Sequence, residues 1–231
     1  METRRLVLRA WRIEDAKSLF RYAKEPLIGE RAGWQAHQSE EESREIIRTV
    51  FACPETYAMV LKETREPIGC VGLLLQQGHL PMNQNEAEIG YWLAKPYWNK
   101  GLTTEAAKRL ICHAFCDLSL ERLWACVFEG NAQSLAVLKK CGFVLHHCAD
   151  KEQTQSGKAE VYLYLEAASF QDKSRIVQKK ELIVQKERGN DRFAVPSFDV
   201  IPSGFEPEIR EPESLVLPLH YGTSYLTNTP C

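Results

Sequence analysis

The segment 86-EAEIGYWLAKPYWNKGLTTEAAKRL-110 changes its period partway along. Residues 86–94 are dense in apolar and aromatic side chains and read as a strand. From Thr103 onward the apolar positions are Ala107, Leu110, Ile111 and Ala114, a helical spacing that leaves Lys108 and Arg109 outside. A short polar loop around Gly101 joins the two. A helix N-terminus carries unpaired N–H groups and a partial positive charge. A loop that feeds it from a strand can aim those donors at an anion, typically a phosphate. Gly101 lets the backbone approach closely, Lys100 adds a cation, and the hydroxyls of Thr103 and Thr104 can donate to oxygens. The same residues also suit a plain helix start, with Thr103 or Thr104 capping and Glu105 favouring the helix dipole. Neither the Walker pattern nor the dinucleotide pattern G-x-G-x-x-G is present.

Outward from this segment, the chain alternates strands and helices. Residues 5–11 read as a first strand, and 13–25 as a helix with Ile13, Ala16, Leu19, Phe20 and Ala23 on its apolar face, ended by Pro26 and Gly29. Ser39 and Glu42 form a capping box ahead of a second helix through residue 52. Residues 56–63 and 67–76 form a hairpin, and 77–85 a loop. After the helix from Thr103 to Cys116 comes a strand at 122–128, then a helix capped by Asn131 whose inner face is Leu135, Leu138 and Cys141, ended by Gly142. Strands at 143–148 and 159–166 complete the order β-α-α-β-β-β-α-β-α-β-β, a mixed α/β domain closing near residue 170. Residues 171–194 read as a charged extension of helical character, and 195–231 as a proline-rich disordered tail outside the core. Within the tail, 204-GFEP-207 and 217-LPLHY-221 match what the complements of a tRNA T-arm and D-arm encode, so the tail also reads as run-on translation.

Composition bounds the function. A hydrophobic content of 44% and a charged content of 26% are those of a soluble globular protein. A formal net charge of -2 gives no electrostatic case for nucleic acid or an anionic membrane as partner. No apolar run reaches the roughly 20 residues that span a bilayer, and the N-terminus lacks the apolar region of a secretory signal, so the cytoplasm is the expected location. The eight cysteines include no C-x-x-C pair, and Cys112, His113 and Cys116 lack a second ligand pair at zinc spacing, so no metal is expected. Most of the cysteines read as small buried hydrophobes.

The stretch 88-EIGYWLAKPYWNKGLTTEAAKRLICHAF-115, followed by 129-EGNAQSLAVLKKCGF-143, resembles the GCN5-related N-acetyltransferase superfamily. With the opening 3-TRRLVLRAWRIEDAKSLFRYA-23, it is similar to the branch of ribosomal-protein N-terminal acetyltransferases, the RimJ/RimL-like enzymes. The resemblance covers residues 3–168 and none of the tail. It implies a central mixed sheet of about seven strands with flanking helices, acetyl-CoA as acetyl donor, and direct transfer to a primary amine of a protein N-terminus or a small molecule. A catalytically silent acyl-CoA-binding module on the same fold is the alternative, and the expected assembly is a monomer or homodimer.

The resemblance also assigns residues. The pyrophosphate maps onto Asn99, Lys100, Gly101, Leu102, Thr103 and Thr104, with Trp98 where the superfamily often has Gln or Arg, Asn99 in place of a common glycine, and Thr103 in place of Gly or Ala. The fourth strand is expected to splay from the fifth, freeing backbone groups at Tyr91, Trp92 and Leu93 for the pantetheine arm and the acetyl carbonyl. Glu88 is the general-base candidate, with Glu160 as its competitor. In the N-x-x-S motif, Asn131 is assigned to the cofactor arm and Ser134 to the sulfur, where many superfamily members place a tyrosine as general acid. Residues 26–42, with Trp34 and His37, and the loop 77–85 are the expected walls of the acceptor groove. No cysteine is needed as a nucleophile.

Overall fold

The computed structural model describes residues 1–75 and 82–170. The strands are β1 (Leu6–Ala10), β2 (Thr56–Leu61), β3 (Pro67–Leu75), β4 (Glu86–Leu93), β5 (Arg122–Phe128), β6 (Val144–Ala149) and β7 (Glu160–Glu166). They form a 7-stranded sheet in the order β1-β2-β3-β4-β5-β7-β6. The helices are α1 (Ala16–Ala23), α2 (Pro26–Ala32), α3 (Glu40–Thr49), α4 (Leu102–Cys116) and α5 (Ala132–Lys140). Among the described residues only β4 and β5 pair in parallel, because α4 carries the chain back across the sheet between them. This is the expected mixed α/β architecture.

The sheet divides the core. Leu6, Leu8, Ile89, Tyr91, Leu93, Leu123, Ala125 and Val127 pack with Ala107, Leu110 and Ile111 of α4 and Val137 and Leu138 of α5. Ala58, Val60, Cys70 and Trp92 point the other way and pack with Leu19, Ile28 and Ile47 of the first three helices. A strand covered on both faces needs no polar side, and β4 is buried along its whole length.

Four expectations of detail are corrected. The first helix begins at Ala16, after a 3-10 turn over Ile13–Asp15, and Ile13 is 36% exposed instead of lying on the apolar face. Pro26 ends one helix but also opens α2, since its missing N–H costs nothing in a first turn. Ser39 accepts from the Glu42 N–H at 3.0 Å, but the Glu42 carboxylate bonds the Gln38 N–H at 2.6 Å, so the capping box closes one residue early. The inner face of α5 holds Ser134 and Val137 together with Leu138, while Leu135 stays partly exposed. Residues 77–81 of the expected loop, and the expected extension and tail at 171–194 and 195–231, lie outside the described residues.

Candidate active site

The loop between β4 and α4 is held in an uncommon shape. Asn99 and Gly101 both have positive φ, 63° and 66°. Gly101 is the N-cap of α4 and takes that conformation at no steric cost. The helix therefore starts at Leu102, and neither Thr103 nor Thr104 caps it, contrary to the plain-cap expectation. The N–H groups of the first turn have no partner inside the helix by geometry. Thr103 is fully buried, and its Oγ1 has no hydrogen-bond partner among the described residues. The Lys100 ammonium lies 5.3 Å from the Tyr97 ring centre.

Residues from the N-terminus secure this loop. Glu105 Oε1 accepts from Thr3 Oγ1 at 2.6 Å and from the Arg5 N–H at 2.8 Å, and Oε2 accepts from Arg5 Nε at 2.7 Å. Burial alone would raise the Glu105 pKa, but the bonds from Thr3 and Arg5 outweigh it and hold the carboxyl below the usual glutamate range. Arg5 Nη1 also donates to the Lys100 carbonyl at 2.8 Å.

Beside the loop the sheet parts. β4 and β5 pair only at Glu86–Arg122, Ala87–Leu123 and Glu88–Trp124. Beyond that point β4 stays with β3 as far as Leu93, and β5 stays with β7 as far as Phe128. One edge of β4 from Ile89 to Leu93 thus has no strand against it among the described residues, and it includes Tyr91, Trp92 and Leu93. The Leu93 carbonyl accepts from Trp98 Nε1 at 2.7 Å, so that group is already in use. The Tyr91 side chain is fully buried and its hydroxyl donates to the Ser134 carbonyl at 3.3 Å, linking β4 to α5. Burial pushes this phenol well above its ordinary pKa, so it keeps its proton. Trp92 faces the opposite side, stacked on Trp11 at 6.4 Å and edge-on to Trp34 at 6.2 Å.

At the N-terminus of α5, Asn131 Oδ1 accepts from the Ser134 N–H at 3.3 Å, as expected of an N-cap. Asn131 and Ser134 are both buried.

On the sheet face shared with Trp92, two buried carboxylates flank Cys126. Glu88 is 1% and Glu160 4% exposed. Cys126 lies two residues past Trp124, the partner of Glu88, and two before Phe128, the partner of Glu160. Burial first, then the charges of Glu88 and Glu160, push the Cys126 thiol far up, so it is no thiolate nucleophile. Glu160 accepts from Ser156 Oγ at 2.5 Å and from the Tyr162 hydroxyl. The α2 segment crosses this side. Arg31 Nη1 donates to Gln133 Oε1 at 3.3 Å, its guanidinium lies 5.7 Å from the Trp98 ring, and Lys158 Nζ donates to the Glu30 carbonyl at 3.0 Å. Trp34 follows α2, and the His37 ring stands 5.3 Å from the Trp34 ring, with Nδ1 2.8 Å from Ser43 Oγ of α3.

The structure thus gathers Glu88, Tyr91, Trp92, Leu93 and the 99–104 loop along one strand and its exit, and brings Ser134, whose N–H Asn131 caps, against Tyr91. Arg5, the Tyr91 hydroxyl and the Trp98 indole were not legible as parts of the site. Their partners lie 95, 43 and 5 positions away, and no local pattern marks them.

Comparison with known proteins converges on one family. The description "Acetyltransferase (GNAT) domain" matches residues 5–144. An uncharacterized N-acetyltransferase, p20 of Bacillus licheniformis, is 28% identical over 168 residues, covering 70% of this chain and 92% of its own. The ribosomal-protein-serine acetyltransferase of Escherichia coli (strain K12) is 31% identical over 115 residues, covering 48% of this chain and 62% of its own. The crystal structure of spermidine N-acetyltransferase from Vibrio cholerae in complex with CoA and spermine shares the fold, with a TM-score of 0.59 and 19% identity over 71% of this chain and 97% of that one.

Proposed function

The chain belongs to the acetyltransferase (GNAT) family, and from that premise we propose that it transfers an acetyl group from acetyl-CoA directly to a primary amine, either of a protein N-terminus or of a small molecule. The observation that carries this reading is the parting of β4 from β5 immediately after Glu88, beside a positive-φ loop that opens a helix. Acetyl-CoA supplies the acetyl group activated as a thioester. Its pyrophosphate is assigned to the backbone and side chains of Asn99, Lys100, Gly101, Leu102, Thr103 and Thr104. The buried, unpartnered Thr103 Oγ1 supports that assignment, because a buried hydroxyl without a partner costs free energy that a phosphate oxygen would recover. The arm is assigned to the open edge of β4 at Tyr91, Trp92 and Leu93, and to Asn131.

In this reading Glu88 takes the proton from the attacking amine. It is favoured over Glu160 because both Glu160 oxygens already accept hydroxyl bonds, whereas Glu88 stands at the last pair before the strands part. Backbone donors near Tyr91 and Trp92 stabilise negative charge developing on the carbonyl oxygen, an effect typically of about 3 kcal/mol. Ser134 offers its hydroxyl to the departing sulfur. An α-amine with a pKa near about 8 is already partly neutral at neutral pH, so positioning carries much of the rate. Of the three proteins named above, one is a ribosomal-protein-serine acetyltransferase and one, which shares the fold, a spermidine N-acetyltransferase, and both classes of amine belong in the screen.

The test is thermal unfolding with and without acetyl-CoA, with ATP as control, followed by an amine screen read by release of free thiol. Ligand at about 100 times its Kd adds about 2.7 kcal/mol. A shift with acetyl-CoA and not with ATP, followed by thiol release with an amine, is the expected result. No shift with acetyl-CoA sinks the reading, and binding without turnover on any amine favours the silent acyl-CoA-binding module.

A further inference from the structure

Arg5 is the residue just ahead of β1, and its side chain reaches a loop 95 positions further along the chain. Its guanidinium makes two different kinds of contact. Nε bonds Glu105 Oε2 at 2.7 Å, and Nη1 bonds the Lys100 carbonyl at 2.8 Å. Nη2 has no hydrogen-bond partner among the described residues and stands 3.7 Å from where a Cβ on Gly101 would be. The Lys100 carbonyl and the Gly101 N–H belong to one planar trans peptide, in which the two groups point in opposite directions. Pinning the carbonyl therefore fixes where the N–H points. Without that pin, the Lys100–Gly101 peptide has little else to hold its plane, because Gly101 has no side chain and sits at positive φ, with Asn99 in the same uncommon region one residue before Lys100. Thr103, two residues on, is the independent sign that something polar is met here: it is fully buried and its hydroxyl has no partner.

We propose that Arg5 is a positioning residue of the coenzyme site, holding the Lys100–Gly101 peptide so that the Gly101 N–H faces the pyrophosphate. This rests on the coenzyme reading of the loop given above. The Arg5 charge is balanced by Glu105, so its contribution comes from the fork shape of the guanidinium more than from net charge. A lysine at position 5 keeps the charge but cannot bond Glu105 and the Lys100 carbonyl in the same planar arrangement.

The experiment measures dissociation constants of CoA and of pantetheine, the arm without phosphates, for the wild type, Arg5→Ala, Arg5→Lys and Gly101→Asp. Unfolding midpoints are recorded for each, and Arg5→Lys carries the test if Arg5→Ala does not fold. The expected result is a loss of CoA affinity of about ten-fold in both Arg5 variants, the size of one charge-assisted hydrogen bond, with pantetheine affinity unchanged. A merely structural role would lower both ligands together, and that outcome overturns the proposal. Wild-type CoA affinity in Arg5→Lys also overturns it, because charge alone would then suffice. The two readings fail separately. If Gly101→Asp binds CoA like the wild type, the loop assignment itself is wrong. If Gly101→Asp loses CoA while both Arg5 variants keep it, only the role of Arg5 is wrong.

Discussion

Replacing Gly101 tests the loop with a magnitude that can be worked out in advance. Gly101 sits at φ 66°, where a residue with a Cβ pays about 1–2 kcal/mol. The nearest atom to an added Cβ is Arg5 Nη2 at 3.7 Å, which is ordinary contact, so no clash adds to that cost. Gly101→Ala should therefore lower the unfolding midpoint by a few degrees, at roughly 2–4 °C per kcal/mol for a chain of this size, and change CoA affinity less than about three-fold. Gly101→Asp carries the same backbone cost and adds a carboxylate. At about 6 Å from a phosphate charge and an effective dielectric near 20, the repulsion is about 3 kcal/mol, or roughly 100-fold in affinity. The new carboxylate also lies within reach of Arg5 and competes with Glu105 for it. Calorimetric titration with CoA, alongside unfolding without ligand, separates the two costs. A folded Gly101→Asp variant that binds CoA within three-fold of the wild type would refute the assignment of an anion to this loop. If Gly101→Ala loses as much affinity as Gly101→Asp, the electrostatic reasoning fails and the glycine matters for space alone.

Other substitutions probe the neighbouring groups. Glu88→Gln should lower turnover by about 100-fold while leaving CoA affinity unchanged, since the carboxylate is assigned to the amine and not to the coenzyme; equal turnover would remove Glu88 from the mechanism. Trp98→Phe removes the indole bond to the Leu93 carbonyl and should cost about 1 kcal/mol of stability, seen as a lower denaturant midpoint at unchanged slope. The folded Glu105 carboxyl lies below its ordinary value of 4.5, so the unfolded chain takes up that proton first as pH falls. The stability it provides is complete above the unfolded value and is lost as pH falls through the folded one. Glu105→Gln should therefore unfold at a lower temperature near neutral pH and show a shallower fall between about pH 5 and pH 3. Curves that run parallel would show that the carboxylate is not held in its charged form.

Much of this architecture could be read from local pattern because local pattern is what builds it. The strands at 122–128 and 159–166 are dense in β-branched and aromatic residues, and the stripe Ala107, Leu110, Ile111 and Ala114 of α4 is buried as its spacing requires. The errors fall where one residue type serves two ends. Pro26 ends a helix and starts another, so punctuation alone hid α2. Thr103 and Thr104 are good capping residues, but a left-handed Gly101 made a side-chain cap unnecessary. The candidate site was legible on β4 and the loop because those residues are contiguous. It was illegible at Arg5, whose nearest competitor for attention was the alternation of the strand it precedes. It was also illegible at the Tyr91 hydroxyl, since nothing in a strand pattern says how far a buried phenol reaches.

The bonds from Thr3 and Arg5 to Glu105 join positions 102 and 100 residues apart in the chain. β1, which Arg5 leads into, is the outermost strand of the sheet, paired on one side by β2 and bonded on the other by the short segment Met1–Thr3, and outer strands open more readily than central ones. In the role proposed for Arg5, each transient detachment of β1 would release the Lys100 carbonyl and return the loop to a slack state. Coenzyme should therefore slow hydrogen exchange at Leu6–Ala10, well away from its own contacts. Affinity would then vary among relatives of identical loop sequence according to how firmly their first strand is seated, and a search for tighter or weaker coenzyme binding could begin at that outer edge of the sheet.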